Sequence, residues 1–173
     1  MTTPDWAAAW TDHATAFDRV RSVVMTVDEP RPAAWIADHA QVAPSTARDH
    51  LDRLGELGIV TEKSTESGAR YGPDPAYVRF QEIRELTADY SPEELSGFVV
   101  ELKTEIDTLR ETHSVETVAE LRAAAAKPGV STETAQELRR AAADWDHYRY
   151  RLSLLEDAIT RYDDYQSGTP ATA

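Results

Sequence analysis

The chain has no cysteine, and only three of its 18 cationic residues are lysine. The lack of thiols excludes disulfides, thiolate metal sites and cysteine nucleophiles. No stretch of about eighteen apolar residues occurs, and the N-terminus shows no apolar run of signal-peptide length. We therefore expect neither a membrane span nor export, and we expect a cytoplasmic protein.

Sequence patterns typical of catalysis are also missing. We find no glycine-rich phosphate loop, no serine, histidine and aspartate constellation, and no carboxylate pair with a supporting base. Asp144, Asp146 and His147 are neighbours, but spacings of two and one residues do not bring all three onto one helical face. The sequence predicts no enzymatic activity, no metal and no cofactor.

The charge balance is strongly acidic, with 31 aspartates and glutamates and a formal net charge of −13. Such acidity is unusual in a protein that approaches phosphates. The preference for arginine over lysine, however, resembles the proteome of an organism with molar salt in its cytoplasm, where the screening length falls to roughly 3 Å. Repulsion from DNA then largely disappears, and specificity would have to depend on short contacts.

Residues 32–57 predict two short helices joined by a tight turn. The first follows Pro32, the turn spans residues 41–43, and Pro44 suits the first position of the second helix because its missing N–H would be unpaired anyway. Apolar residues recur at helical spacing in both and are expected to be buried. They are Ile36, Ala37 and Ala40 in the first helix and Ala47, Leu51, Leu54 and Leu57 in the second.

A strand and a hairpin are predicted next. Gly58 has the position of a helix C-terminal glycine, and residues 59–61 favour a strand. The hairpin arms would run through residues 62–64 and 69–72, with Ser67 and Gly68 in the turn. Helix, turn, helix and hairpin in this order predict a winged helix-turn-helix that binds double-stranded DNA.

A helix from about Asp12 to Val27 is expected to complete a three-helix core. Trp6 and Trp10 precede it at a spacing of four, which favours packing over ligand stacking. The inward positions of the predicted helix are Ala14, Phe17, Val20, Val24 and Val27.

The second motif helix would enter the major groove with its N-terminal residues against base edges. Arg48 is the best candidate for a base contact because its guanidinium can donate two hydrogen bonds to guanine. Arg53 would contact the DNA backbone, and Lys63 and Arg70 would flank the wing. For His50, a solvent-exposed or capping role is an equal alternative. The predicted DNA-binding residues are Ser45, Thr46, Arg48, Asp49, His50, Arg53, Lys63 and Arg70.

Four consecutive blocks carry a resemblance to a known family. They are TAFDRVRSVV, EPRPAAWIADHA, STARDHLDRLGELGIV and GARYGPDPAYVRFQEIREL, which together cover about the first half of the chain. They resemble the winged-helix transcriptional regulators of halophilic archaea related to the ArsR, MarR and TrmB-like groups. The resemblance implies a dimeric DNA-binding regulator without enzymatic activity. A thiol-based metal sensor of the ArsR type is excluded by the absence of cysteine.

The rest of the chain predicts helices. One runs from about Tyr77 to Ala88, Ser91 caps a second, residues 114–127 form a third, and Ser131 caps the last. The predicted fold is therefore mainly α. It comprises a winged helix-turn-helix domain over residues 1–75, a helical, coiled-coil-like dimerisation region over residues 76–165, and a disordered tail over residues 166–173.

Two of these helices carry apolar seams that alternate three and four residues, as heptads do. Such a seam either folds back within one chain or pairs with a second chain. We favour pairing, because two DNA-binding domains about 34 to 36 Å apart recognise a palindrome. Trp145, Tyr148 and Tyr150 could also line an effector pocket, although core packing is favoured. The predicted dimerisation residues are Leu95, Val99, Leu102, Ile106, Leu109, Trp145, Tyr148, Leu152, Leu155 and Ile159.

Two functions follow from these patterns. The first is a dimeric, sequence-specific transcriptional regulator, most simply a repressor that occupies its promoter. The second is a protein-interaction module in which the winged helix is a platform and the helical region recruits a partner. Asp49 and Asp52 support the second, because both carboxylates would lie near DNA phosphates.

Overall fold

A computed structural model describes residues 14–166. The structure is mainly helical, with a small three-stranded antiparallel sheet. The chain divides into two compact units at Phe80 and Gln81, inside one helix, whereas the sequence analysis placed the boundary at residue 75. The expectations for Trp6, Trp10 and residues 167–173 concern parts of the chain outside the described range.

Within residues 14–80, unit 1 contains three complete helices and three strands. The strands are antiparallel in the order β1-β3-β2, so β3 is central. In chain order the elements are α1 (Ala16–Met25), β1 (Arg31–Pro32), α2 (Ala33–Ala40), α3 (Pro44–Glu56), β2 (Val60–Thr65) and β3 (Gly68–Pro73). Helix α4 (Pro75–Asp89) follows and crosses the division.

Helix α1 starts later than predicted because Thr15 caps it. The Thr15 hydroxyl accepts a hydrogen bond from the Asp18 N–H, and the Asp18 carboxylate accepts one from the Thr15 N–H, both at 3.2 Å. This capping box holds Thr15 in an extended conformation, so the helix begins at Ala16. The predicted end at Val27 is wrong, because the last helical residue is Met25. Asp12, the predicted start, lies outside the described residues.

The helices α2 and α3 are joined by the predicted turn. Gln41 ends α2 in the left-handed conformation with φ of 53°, and Pro44 opens α3. Seven apolar residues of these two helices were predicted to be buried. Six of them are: Ile36, Ala37, Ala40, Ala47, Leu51 and Leu54. Leu57 is the exception, because it follows the last helical residue and is 59% exposed.

The hairpin turn lies one residue earlier than predicted. Thr65 pairs with Gly68, so Glu66 and Ser67 form the turn and Gly68 belongs to β3. Gly68 has φ of +109°, a conformation that residues with a Cβ atom rarely adopt. Strand β1 was not predicted, because two residues are too few to show a period.

Unit 2 is helical. It contains the last part of α4 and then α5 (Pro92–His113), α6 (Val118–Ala125), α7 (Thr132–Thr160) and α8 (Tyr162–Gln166). The predicted caps Ser91 and Ser131 are confirmed. The helix predicted from residue 114 instead begins at Val118, because Ser114 ends α5 in the left-handed conformation and Thr117 caps α6.

The heptad seams of α5 and α7 pack on each other within one chain. Leu95, Trp145 and Leu155 are at most 4% exposed inside unit 2, so these three predicted dimerisation residues are core residues of one chain. The dimer itself stays a prediction. Trp145 is therefore a core residue. Tyr148 and Leu152 are half-buried. Unit 2 has two apolar clusters, one around Leu95 and Leu155 and one around Trp145. The remaining predicted seam residues pack against these clusters: Val99, Leu102, Ile106, Leu109 and Ile159.

Residues 14–166 include no helix with the length and apolar character that crossing a membrane requires.

The contrast between Leu54 and Leu57 provides a stability test. We expect Leu54→Ala to lower the free energy of unfolding of unit 1 by about 2 to 5 kcal/mol, because it opens a cavity at a fully buried position. The same substitution at the exposed Leu57 should change it by less than about 0.5 kcal/mol. Native-state hydrogen exchange of the α1 to α3 amides measures both. Equal losses would contradict the assigned burial.

Candidate nucleic-acid interface

The outer face of α3 is the face opposite its buried stripe. Residues at spacings of four, three and four lie along one line of a helix, because 3.6 residues complete a turn. Each member of this line is exposed, and three of the four are carboxylates. We call it the acidic line: Ser45, Asp49, Asp52 and Glu56.

Arg48 flanks the acidic line on the side facing β3. It is exposed, and within residues 14–166 it forms neither an ion pair nor a hydrogen bond. Its positive charge acts on the Tyr71 hydroxyl, which locates it on that side of the helix. Asp52 is one turn further along but does not pair with Arg48. The guanidinium therefore remains available to a ligand.

Arg53 and His50 lie on the opposite flank and contact Phe17 of α1. The guanidinium carbon of Arg53 is 5.3 Å from the Phe17 ring centroid, a cation–π distance. The His50 ring meets the same phenyl ring edge-on, with centroids 5.6 Å apart. Both side chains thus have a partner inside unit 1, and the half-buried His50 is neither fully solvent-exposed nor a helix cap.

Lys63 and Arg70 are direct cross-strand partners on β2 and β3. Because partners in register point to the same side of a sheet, the two cations share one face, and Tyr71 points to the other. Like charges directly opposite each other are mildly destabilising. Neither forms an ion pair in the described part of the chain, so an anion placed between them would relieve this repulsion.

A groove of about 340 Å³ separates α3 from the hairpin. Burial raises the pKa of Tyr71, and the negative charges of Glu62 and Asp52 raise it further. Tyr71 was missed as a site residue, although the alternation of Ala69 and Tyr71 in β3 could have indicated it. The groove is lined by Leu51, Asp52, Gly55, Glu56, Val60, Glu62 and Tyr71.

Trp35 forms a second feature that the sequence analysis missed. The Arg31 guanidinium carbon is 5.3 Å from the Trp35 ring centroid, and the His39 ring stacks on the indole with centroids 3.6 Å apart. His39 Nδ1 also lies 2.8 Å from the Trp35 carbonyl oxygen. The spacing of four between Trp35 and His39 was the available signal. These contacts hold the indole in place on α2.

No group of three or more histidine, aspartate or glutamate side chains between residues 14 and 166 is arranged to hold a metal ion. Asp146, one of the three neighbours considered from the sequence, pairs with Arg122.

A family model of unknown function, DUF7342, matches the sequence over residues 14–164. The chain belongs to DUF7342, a family of unknown function. No curated protein matches the chain. Because the DUF7342 match covers nearly all of the described residues, it includes both units.

The raised pKa of Tyr71 can be tested by titration. A raised pKa favours the neutral phenol in the folded state, so this contribution to stability is present below the ordinary value of 10.0 and is lost as the pH rises through the folded value. We expect Glu62→Gln to lower the pKa of Tyr71, because it removes a nearby negative charge. Phenolate absorbance, measured as the difference from Tyr71→Phe, reports this ionisation.

The matched control is Glu66→Gln in the exposed hairpin turn, which should leave the Tyr71 titration unchanged. An equal shift in both variants would mean that net charge, rather than the groove, sets this pKa.

Proposed function

We propose that unit 1 is a winged helix-turn-helix domain that binds double-stranded DNA sequence-specifically, and that the protein is a transcriptional regulator rather than an enzyme. The chain order α1, β1, α2, α3, β2, β3 with a central β3 supports this proposal. In such domains the second helix of the motif enters the major groove. Here that helix is α3, and its outer face is exposed over its whole length.

The observation that carries the proposal is the unpaired guanidinium of Arg48. In a chain with 31 carboxylates, an exposed arginine without an ion pair is available for an external partner. Arg48 lies in the N-terminal half of α3, where this class of domain contacts base edges. Its role would be the two-hydrogen-bond contact to guanine.

The other candidate residues take supporting roles. Ser45 and Thr46 are at the start of α3, within reach of a base or a phosphate. Lys63 and Arg70 would bind a phosphate between them, which offsets their mutual repulsion. Arg53 has its guanidinium over Phe17, so it would reach the DNA backbone only from the edge of the helix.

The acidity of the chain suits a regulator that works in molar salt, as in the halophilic archaea whose regulators the four sequence blocks resemble. Screening at about 3 Å removes most of the repulsion between 31 carboxylates and DNA. High salt also weakens the gain from counterion release. Affinity would then depend on base contacts, and Arg48 becomes more important than a broad basic patch.

The acidic line favours a second candidate function. Asp49, Asp52 and Glu56 would repel phosphates at low salt, and the groove beside them adds Glu62. A basic protein segment would fit this surface. Unit 1 would then be an interaction platform, and the helices of unit 2 would help to recruit the partner.

A selection from random duplex DNA decides between the two candidates. In molar potassium chloride we expect the full chain to enrich one sequence. Arg48→Ala should weaken binding to it by about 5- to 150-fold, the range expected for loss of one base contact. Arg139→Ala, which removes an exposed arginine from unit 2, should leave affinity unchanged.

The proposal that α3 recognises DNA would be contradicted if folded protein enriched no sequence. It would also be contradicted if Arg48→Ala and Arg139→Ala weakened binding equally. Stoichiometric capture of a basic protein would then support the interaction platform.

We also propose that the regulator is a dimer, because paired domains read a palindrome with half-sites about one helical turn apart. Leu95, Trp145 and Leu155 are buried within the chain, so the contact would use the half-buried seam residues or other surfaces. Light scattering should give twice the chain mass of 19.3 kDa, and the selected DNA should be an inverted repeat. A mass of one chain together with a single half-site would contradict the dimer.

A further inference from the structure

The outer face of α3 offers an unusual set of groups for reading DNA. Of its arginine and histidine side chains, Arg53 lies over the Phe17 ring and His50 meets the same ring edge-on. Arg48 is left as the cation that points to solvent without a partner in unit 1. Beside it, Asp49 is exposed one residue further along the helix. One donor and one acceptor are therefore exposed at consecutive positions of α3.

A carboxylate is selective among base edges because it only accepts hydrogen bonds. In the major groove, guanine presents the N7 and O6 acceptors and thymine the O4 acceptor, so both would repel Asp49. Adenine presents an amino group beside the N7 acceptor. Cytosine presents its N4 amino group without an adjacent acceptor. Cytosine is therefore the base that a carboxylate tolerates best.

The position of Asp49 along α3 separates it from the other carboxylates. It lies one turn after Ser45 and next to Arg48, in the half of the helix that contacts bases. Asp52 lies one turn further on, beside the groove, where its charge acts on Tyr71. Glu56 is at the C-terminal end of the helix. Of the carboxylates in the acidic line, Asp49 is therefore the one positioned, together with Arg48, to contact base edges.

We propose that Asp49 is a specificity-determining residue that accepts a hydrogen bond from the N4 amino group of cytosine, next to a guanine bound by Arg48. This inference rests on the proposed function, because it requires that unit 1 binds double-stranded DNA. The preferred half-site would contain adjacent G·C pairs. Asp49 then contributes to selection rather than only opposing the approach of α3 to DNA.

The test uses the full chain in the random-duplex selection, with wild type and Asp49→Asn in parallel. The wild type should enrich cytosine at one position beside a conserved guanine. An asparagine amide can both donate and accept, which suits the N7 and N6 groups of adenine. Asp49→Asn should change the preferred base at that position from cytosine to adenine, and its affinity for the wild-type site should fall about tenfold.

The matched control is Asp28→Asn, which removes an exposed carboxylate from the loop between α1 and β1. It should enrich the wild-type sequence with unchanged affinity. A simple loss of negative charge would strengthen binding in both variants without changing the preferred base.

The failures of the two proposals differ. If the wild type enriches a sequence but Asp49→Asn enriches the same one, Asp49 does not read cytosine, while DNA binding by unit 1 stands. If folded wild type enriches no DNA, both proposals are wrong. Circular dichroism of each variant shows that the fold is retained.

Discussion

The burial of one apolar stripe of α3 determines what unit 1 presents to a partner. Ala47, Leu51 and Leu54 are at most 1% exposed, so α3 cannot rotate about its axis without placing a carboxylate in the core. An unpaired charge in such an environment is strongly unfavourable. The outward direction of Arg48 and Asp49 therefore follows from packing on the opposite side of the helix.

The distribution of charge is more informative than the net charge. In unit 2, Lys103, Arg110 and Arg122 pair with carboxylates at exposed positions, where ion pairs contribute little to stability. In unit 1, within the described residues, Arg48 is not neutralised in this way, and neither are the cross-strand partners Lys63 and Arg70. Exposed cations without an ion pair occur in both units, since Arg139, Arg140 and Arg149 of unit 2 also lack one in the described residues. Arg48 is therefore distinguished by its position on the outer face of α3 rather than by the absence of a partner alone.

The seam of α7 shows the limit of a heptad pattern. Apolar residues that alternate at spacings of three and four predict that a helix packs on another helix, but the pattern does not identify that helix. Within one chain α7 packs against both α5 and α6. The buried alanines of α7, which include Ala141 and Ala142, leave space for the side chains of those two helices. Leu95, Trp145 and Leu155 thereby become core residues of unit 2. Packing inside the chain therefore accounts for the three fully buried residues of the seam without a second chain.

The sequence by itself determined the features that depend on neighbours along the chain. The caps Ser91 and Ser131 and the buried positions of α2 and α3 were predictable, because they follow from local hydrogen bonds and helical spacing. The candidate site was predictable only as a set of residues on one helix. Tertiary structure decided which of them remain exposed and unpaired, because Phe17 holds Arg53 and His50 while nothing described holds Arg48. It also decided the pairing of β1 and the helices that cover α7, because residues distant in the sequence make those contacts.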